Sequence, residues 1–73
     1  MRDGGELREM WAQVLERPIG PDTSFFLAGG TSVSAVLLLC RIHDRFGVSL
    51  TLRTFFEHPV YRDFERRLAA ELP

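Results

Sequence analysis

The chain has no lysine. All nine of its basic side chains are arginines, and they are set against ten Asp and Glu residues, for a formal net charge of −1. No basic tract runs through it, so the electrostatic footprint of a nucleic-acid binder is missing. It has a single cysteine, Cys40. One thiol excludes an internal disulfide and fits a reducing compartment, and a cytoplasmic location is expected. Long apolar runs are also missing. The longest, Ala35 to Cys40, is far too short to span a bilayer. Residues 2 to 9 are mostly charged or Gly, which is not a secretory-signal pattern. The two histidines, His43 and His58, are not at metal-ligand spacing and have no Cys or carboxylate cluster around them. There is no internal repeat and no low-complexity tract. No membrane, metal or nucleic-acid partner is expected, and the chain is expected to be a monomer.

What remains is a short, well-mixed sequence. Seventy-three residues, 45% of them hydrophobic, make one small domain, 1–73, with a compact core. The periodicity is helical throughout, and the fold class expected is all-α. Leu7, Met10, Trp11, Val14 and Leu15 form one amphipathic face of a first helix over about 5–16, ended by Pro18, Gly20 and Pro21. A long loop follows, from about 17 to 31. Ile19, Phe25, Phe26 and Leu27 are placed to pin it to the core, and Asp22 to cap a short turn. The second helix, 32–46, carries two apolar stripes. Ala35, Leu38, Leu39, Ile42 and Phe46 form one, and Val33, Val36, Leu37 and Cys40 the other. A domain this small cannot cover both. Gly47 ends the helix. A short third helix over 52–57 follows Thr51 and stops at His58-Pro59. The last, over 60–70, turns Tyr61, Phe64 and Leu68 inward. Trp11 reads as the core anchor of the first helix.

The most informative stretch is Phe25-Phe26-Leu27-Ala28-Gly29-Gly30-Thr31-Ser32-Val33. The glycine pair permits a sharp turn and close approach. Thr31 is a good N-cap, which puts Ser32 in the first helical turn. A hydroxyl there lies beside unpaired backbone N–H groups at the positive end of the helix dipole, a place suited to a phosphate. Two rival chemical readings fail. A nucleophile elbow, G-x-S-x-G, needs a glycine at the position of Ser34 and a preceding strand, and has neither. A phosphate-binding loop of the nucleotide-hydrolase type needs a lysine after the glycines.

Three segments together resemble a known family. Asp22-x-x-Phe25-Phe26-x-x-Gly29-Gly30-x-Ser32, then Phe46-Gly47-Val48, then Phe55-Phe56-Glu57-His58-Pro59 are similar to the thiolation, or peptidyl carrier, domains of nonribosomal peptide synthetases. The resemblance runs from Leu7 to Leu68. It implies a right-handed four-helix bundle with a short third helix. It also implies that Ser32, beside Gly30 and Thr31, receives 4′-phosphopantetheine from coenzyme A through a phosphopantetheinyl transferase and Mg²⁺. The arm's thiol would then carry aminoacyl or peptidyl groups as thioesters between adenylation, condensation and thioesterase or tailoring partners. The domain itself would be non-catalytic.

By the same resemblance Val33, Leu37, Arg53 and Phe55 would meet those partners, although packing at the core's edge explains Val33 and Leu37 as well. At least one of Phe55 and Phe56 is expected to be core. The sequence departs from the family pattern at Ala28, where Leu is usual, at Thr31, where Asp or His is usual, and at Val60, where Thr often caps the last helix. The second helix has no acidic residue before Asp44 and carries Arg41, which favours the peptidyl over the fatty-acyl subtype. A polyketide-type acyl carrier and a helical interaction module whose serine is never modified stay open as alternatives.

Overall fold

The computed structural model describes residues 3–72; residues 1, 2 and 73 of the expected domain lie outside the described residues. Its helices are α1 (Asp3–Leu15), α2 (Ser32–Phe46), α3 (Leu52–Glu57) and α4 (Tyr61–Ala69). Among the described residues there is no strand, only an isolated antiparallel bridge between Ser24 and Val60. No helix is long and apolar enough to cross a membrane. Helix α2 packs on both α1 and α3, and α4 packs on α1.

Helix α1 stops one residue short of the expected end and ahead of the prolines. Glu16 enters the left-handed region at φ 57, and the Arg17 N–H donates to the Ala12 carbonyl at 3.2 Å. That long backward bond satisfies a carbonyl at the helix end, so the chain turns before Pro18 forces it to. Helix α2 ends as its glycine requires: Gly47 has φ 71, and its N–H donates to the His43 carbonyl.

The long loop is pinned at both edges, with two departures from expectation. Ser24 to Gly30 coil into a tight turn in which the Ala28 N–H donates to the Ser24 carbonyl at 2.9 Å and the Gly30 N–H to that of Phe25 at 2.8 Å. Helical spacing in that coil sends Phe25 and Ala28 inward and Leu27 outward, so Leu27 is 89% exposed rather than a pin. Asp22 does not cap the turn. Thr23 does: its hydroxyl accepts from the Gly20 N–H at 2.9 Å, while the Asp22 carboxylate pairs with Arg62 on α4. The loop is further tied to the α3–α4 connection, with the Phe25 N–H donating to Pro59 at 2.7 Å and the Tyr61 N–H to Thr23 at 2.8 Å. These bonds hold the first residues of α4 although Val60 supplies no side-chain cap.

Trp11 is the centre of the core. Its ring lies 5.2 Å from Phe25, 5.1 Å from Tyr61 and 5.3 Å from Phe64 in edge-on contacts, and 6.0 Å from Phe55. Leu7, Leu38, Ile42 and Leu68 close the cluster around these rings. Helices from both ends of the sequence and the loop between them therefore share one buried aromatic hub.

Tyr61 makes this core sensitive to alkali. Burial, reinforced by the Glu65 charge, pushes its pKa from 10.0 up to about 12, against the opposing pull of Arg8. An acid whose folded-state pKa is raised keeps its proton longer in the folded protein. Its stabilising contribution is therefore complete below about pH 10 and is lost as pH rises towards 12, a decline of up to roughly 3 kcal/mol. Urea unfolding at pH 8 and near pH 11.5 is expected to show this loss in the wild type and a much flatter profile in Tyr61→Phe. Equal slopes in the two proteins would assign the alkaline loss to other groups.

Candidate functional site

Ser32 is the first residue of α2, and its side chain is exposed. The turn that delivers it is built by Phe25. A side-chain carbon placed on Gly30 would sit 2.3 Å from the Phe25 ring and 2.6 Å from its carbonyl oxygen. The free space at this glycine is thus filled from inside by the chain's own aromatic, not kept open for a ligand. Gly29, at φ 104, makes the reversal itself. Together they set α2 starting at the surface directly above the aromatic hub.

Thr31 is the N-cap, in an extended conformation with φ −126 and ψ 173. Its hydroxyl accepts from the Ser34 N–H at 3.2 Å, and the Ser34 hydroxyl accepts from the Thr31 N–H at 2.7 Å. This reciprocal box fixes the first turn. Ser34 was not singled out by sequence reading, because its hydroxyl replaces the longer Glu or Gln side chain that marks such boxes. The signal was a Thr followed three residues later by a second hydrogen-bonding side chain.

The cap leaves a definite remainder. The Ser34 N–H is taken by Thr31 Oγ1, and the Ala35 N–H by the Thr31 carbonyl at 2.8 Å. The N–H groups of Ser32 and Val33 have no intrahelical acceptor, as the geometry of a first turn dictates. They flank the Ser32 hydroxyl at the positive end of a four-turn helix. A phosphodiester on that oxygen carries one negative charge, and the helix end stabilises such a charge by several tenths to about 1 kcal/mol. The donors present fit a phosphate group on Ser32, and these two N–H groups are the ones that would meet it.

The stretch of chain that carries Ser32 is uncharged and rich in apolar residues. From Thr23 to Cys40 the chain has no Asp, Glu, Arg, Lys or His. Val33 is 80% and Leu37 48% exposed; Leu27 and Val36 are exposed beside them. The second stripe of α2 therefore faces solvent while the first is in the core. The short helix divides its aromatics between two layers. Phe55, expected among the partner contacts, is wholly buried at 0% exposure against Trp11, Phe25 and Phe64, so it is core. Phe56 is the exposed one, at 60%, and stacks flat on Phe26 with ring centroids 5.2 Å apart. In a six-residue helix two adjacent phenylalanines carry too little periodicity to say which turns in. Arg53 is exposed and pairs with Glu57 one turn on, at 2.9 Å. Among the described residues no group of His, Cys, Asp and Glu is arranged to hold a metal ion.

Comparison with known proteins agrees with this geometry. The family model described as phosphopantetheine attachment site matches residues 5–68. The chain is 41% identical over 66 residues to pyochelin synthetase PchE of Pseudomonas aeruginosa strain UCBPP-PA14, a match covering 89% of this chain and 5% of that protein. It is 43% identical over 60 residues to phosphinothricin tripeptide synthetase PhsB of Streptomyces viridochromogenes, covering 81% of this chain and 5% of that one. The chain thus spans about one-twentieth of the length of these relatives. Among solved structures it superposes with a TM-score of 0.85 and 28% identity on a chain in the complex of the phosphopantetheine transferase Sfp with coenzyme A and a peptidyl carrier protein, covering 92% of this chain and 88% of that one. An active-site mutant of a peptidyl carrier protein superposes equally well, at 0.85 and 28% identity, over 92% of this chain and 76% of the other. With the family model covering most of its length and an exposed serine at the start of its second helix, the chain belongs to the phosphopantetheine attachment site family of carrier domains.

Proposed function

We propose that this domain is a peptidyl carrier of nonribosomal peptide synthesis and that Ser32 is its attachment residue. The observation that carries the reading is the exposed Ser32 hydroxyl on the first turn of α2, where the first N–H groups have no intrahelical acceptor, in an uncharged stretch of chain. Ser32 Oγ attacks the β-phosphorus of coenzyme A, the pyrophosphate P–O bond breaks, and adenosine 3′,5′-bisphosphate leaves. The hydroxyl proton passes to a base on the transferase, because the stretch from Thr23 to Leu39 holds no ionisable side chain. The domain supplies an acceptor and a handle and is itself non-catalytic; the bound group supplies the thiol that carries acyl cargo. A process that draws on coenzyme A fits a cytoplasmic location.

The matching segments are parts of synthetases, and the proposed partners follow: a phosphopantetheinyl transferase, an adenylation domain, a condensation domain, and thioesterase or tailoring domains. Each must cover Ser32 to act there, and so must also cover Leu27, Val33 and Leu37. Val33→Asp or Leu37→Asp is expected to slow phosphopantetheine transfer or aminoacyl loading by about ten-fold or more, since a desolvated charge at the contact costs at least 1.4 kcal/mol. Helicity and urea midpoint should stay at wild-type values because both positions face solvent. Wild-type rates of both steps would make this face a mere edge of the core. The carrier reading itself is tested by loading. After transfer, an adenylation enzyme with ATP and its amino acid should form a hydroxylamine-cleavable adduct, whereas loading only by an acyltransferase would assign the domain to the acyl subtype.

A further inference from the structure

Three hydroxyls crowd the start of α2, on Thr31, Ser32 and Ser34. Two of them are engaged with each other. Ser34 Oγ accepts from the Thr31 N–H at 2.7 Å and donates to the Thr31 carbonyl at 3.0 Å. A hydroxyl has a single proton to give. With that of Ser34 on the carbonyl, the 3.3 Å contact between the two side-chain oxygens is Thr31 Oγ1 donating to Ser34 Oγ. Thr31 Oγ1 in turn accepts from the Ser34 N–H at 3.2 Å. Among the described residues no hydrogen bond engages the Ser32 hydroxyl between them. Capping alone asks only for a side-chain bond to a free N–H. Here Ser34 grips both polar groups of the Thr31 backbone as well, which is more than a cap requires.

We propose that Ser34 is a positioning residue for phosphopantetheine transfer, closing the chain around Ser32 so that its hydroxyl is held for attack. The proposal rests on the attachment reading above. Ser32 and Val33 lie inside a loop whose ends, Thr31 and Ser34, are tied through backbone and side chain. The Ser32 Cα–Cβ direction is therefore fixed, and only χ1, with its staggered wells, remains to place Oγ. In the transfer an Oγ–P bond forms while the P–O bond to the departing adenosine 3′,5′-bisphosphate breaks, and the hydroxyl proton passes to the transferase's base. Such an in-line displacement tolerates little error in the position of the attacking oxygen. Alanine at position 34 would release the Thr31 N–H and end the grip on its carbonyl. It would keep the bond from its own N–H to Thr31 Oγ1, so α2 would still start at the same residue.

The test is single-turnover transfer from coenzyme A with Mg²⁺ and excess transferase, followed by intact mass over a range of transferase concentrations. This separates the rate inside the bound complex from the strength of docking. A Ser32 hydroxyl in line about one-fifth as often lowers the bound-complex rate about five-fold. We expect that loss or more in Ser34→Ala. The half-saturating transferase concentration should stay near the wild-type value, since exposed Leu27 and Leu37 are untouched. Ser34→Thr restores the hydroxyl and should restore the rate to within about two-fold. Ile42→Val trims the core towards the other end of α2, lowers stability by an amount comparable to a weakened cap, and should transfer at the wild-type rate. Ser34→Ala at the wild-type bound-complex rate would overturn the proposal and leave the attachment reading standing, whether or not docking weakens. Equal slowing in Ile42→Val would also overturn it, by assigning the effect to stability. So would a Ser34→Thr protein as slow as Ser34→Ala. Failure to add any phosphopantetheine to folded wild type would overturn both readings.

Discussion

Trp11→Ala should lose about 4 kcal/mol of stability, the middle of the range for truncating a buried large aromatic. The indole is wholly buried and touches four other rings, Phe25, Phe55, Tyr61 and Phe64. Those rings come from the long loop, α3 and α4, so one truncation opens a cavity that α1 shares with all three. A domain of this length has only about 4–11 kcal/mol in total. The variant is therefore expected to be partly unfolded at room temperature, with a broadened or missing urea transition by circular dichroism. Trp11→Phe should behave differently. It keeps a ring at the hub and removes an indole N–H that is buried without a hydrogen-bond partner. Relief of that unsatisfied donor offsets part of the lost volume, and the cost should stay near 1.5 kcal/mol or below. If Trp11→Ala unfolds within 1 kcal/mol of wild type, the hub is not what holds the elements together.

Gly30→Ala should cost about 3 kcal/mol, although it adds one methyl group at a partly exposed position. The new carbon would lie 2.3 Å from the Phe25 ring, which is wedged between Trp11 at 5.2 Å and Phe55 at 4.6 Å and has nowhere to go. Relief must come from the backbone, and the backbone at Gly30 aims the first turn of α2. Overpacking of this kind costs 1–3 kcal/mol in ordinary cores, and the coupling to the Phe25 carbonyl contact puts this case at the top. Gly5→Ala is the matched control. It lies in the first turn of α1 with nothing near the added carbon, and should gain about 0.5 kcal/mol. The two substitutions are chemically the same and should move urea midpoints in opposite directions. A Gly30→Ala protein as stable as wild type would mean that Phe25 does not set the turn before Ser32.

Much of this was legible in the sequence because helices announce themselves through spacing. The inward sets of α1, α2 and α4 fall at i+3 and i+4, and each set is buried or half-buried in the structure. Thr31 and Ser32 were legible for a local reason: capping depends on neighbours within three residues. The errors fall where spacing is too short to decide. Leu27 and Ala28 lie in a single coiled turn, and size alone favours the leucine as the buried residue. The larger side chain is outside because the backbone bond from Ala28 to Ser24 fixes the phase. Phe55 and Phe56 pose the same problem on α3. Asp22 was lost to a partner forty residues away, Arg62, which no local pattern signals. Gly30 shows the limit most clearly. Sequence reading saw room for an approaching group, and the group that approaches is Phe25, five residues back in the same loop.

The central claim is that the fold exists to present one hydroxyl. It is tested most directly by the intact mass of the protein after treatment with coenzyme A, Mg²⁺ and a broad-specificity phosphopantetheinyl transferase, beside a Ser32→Ala control. Ser32 is solvent-exposed at the start of α2, so the control should be as stable as wild type. The account predicts one added phosphopantetheine on wild type and none on the control. A folded wild type that gains no mass, or a control that gains the same mass, would contradict it.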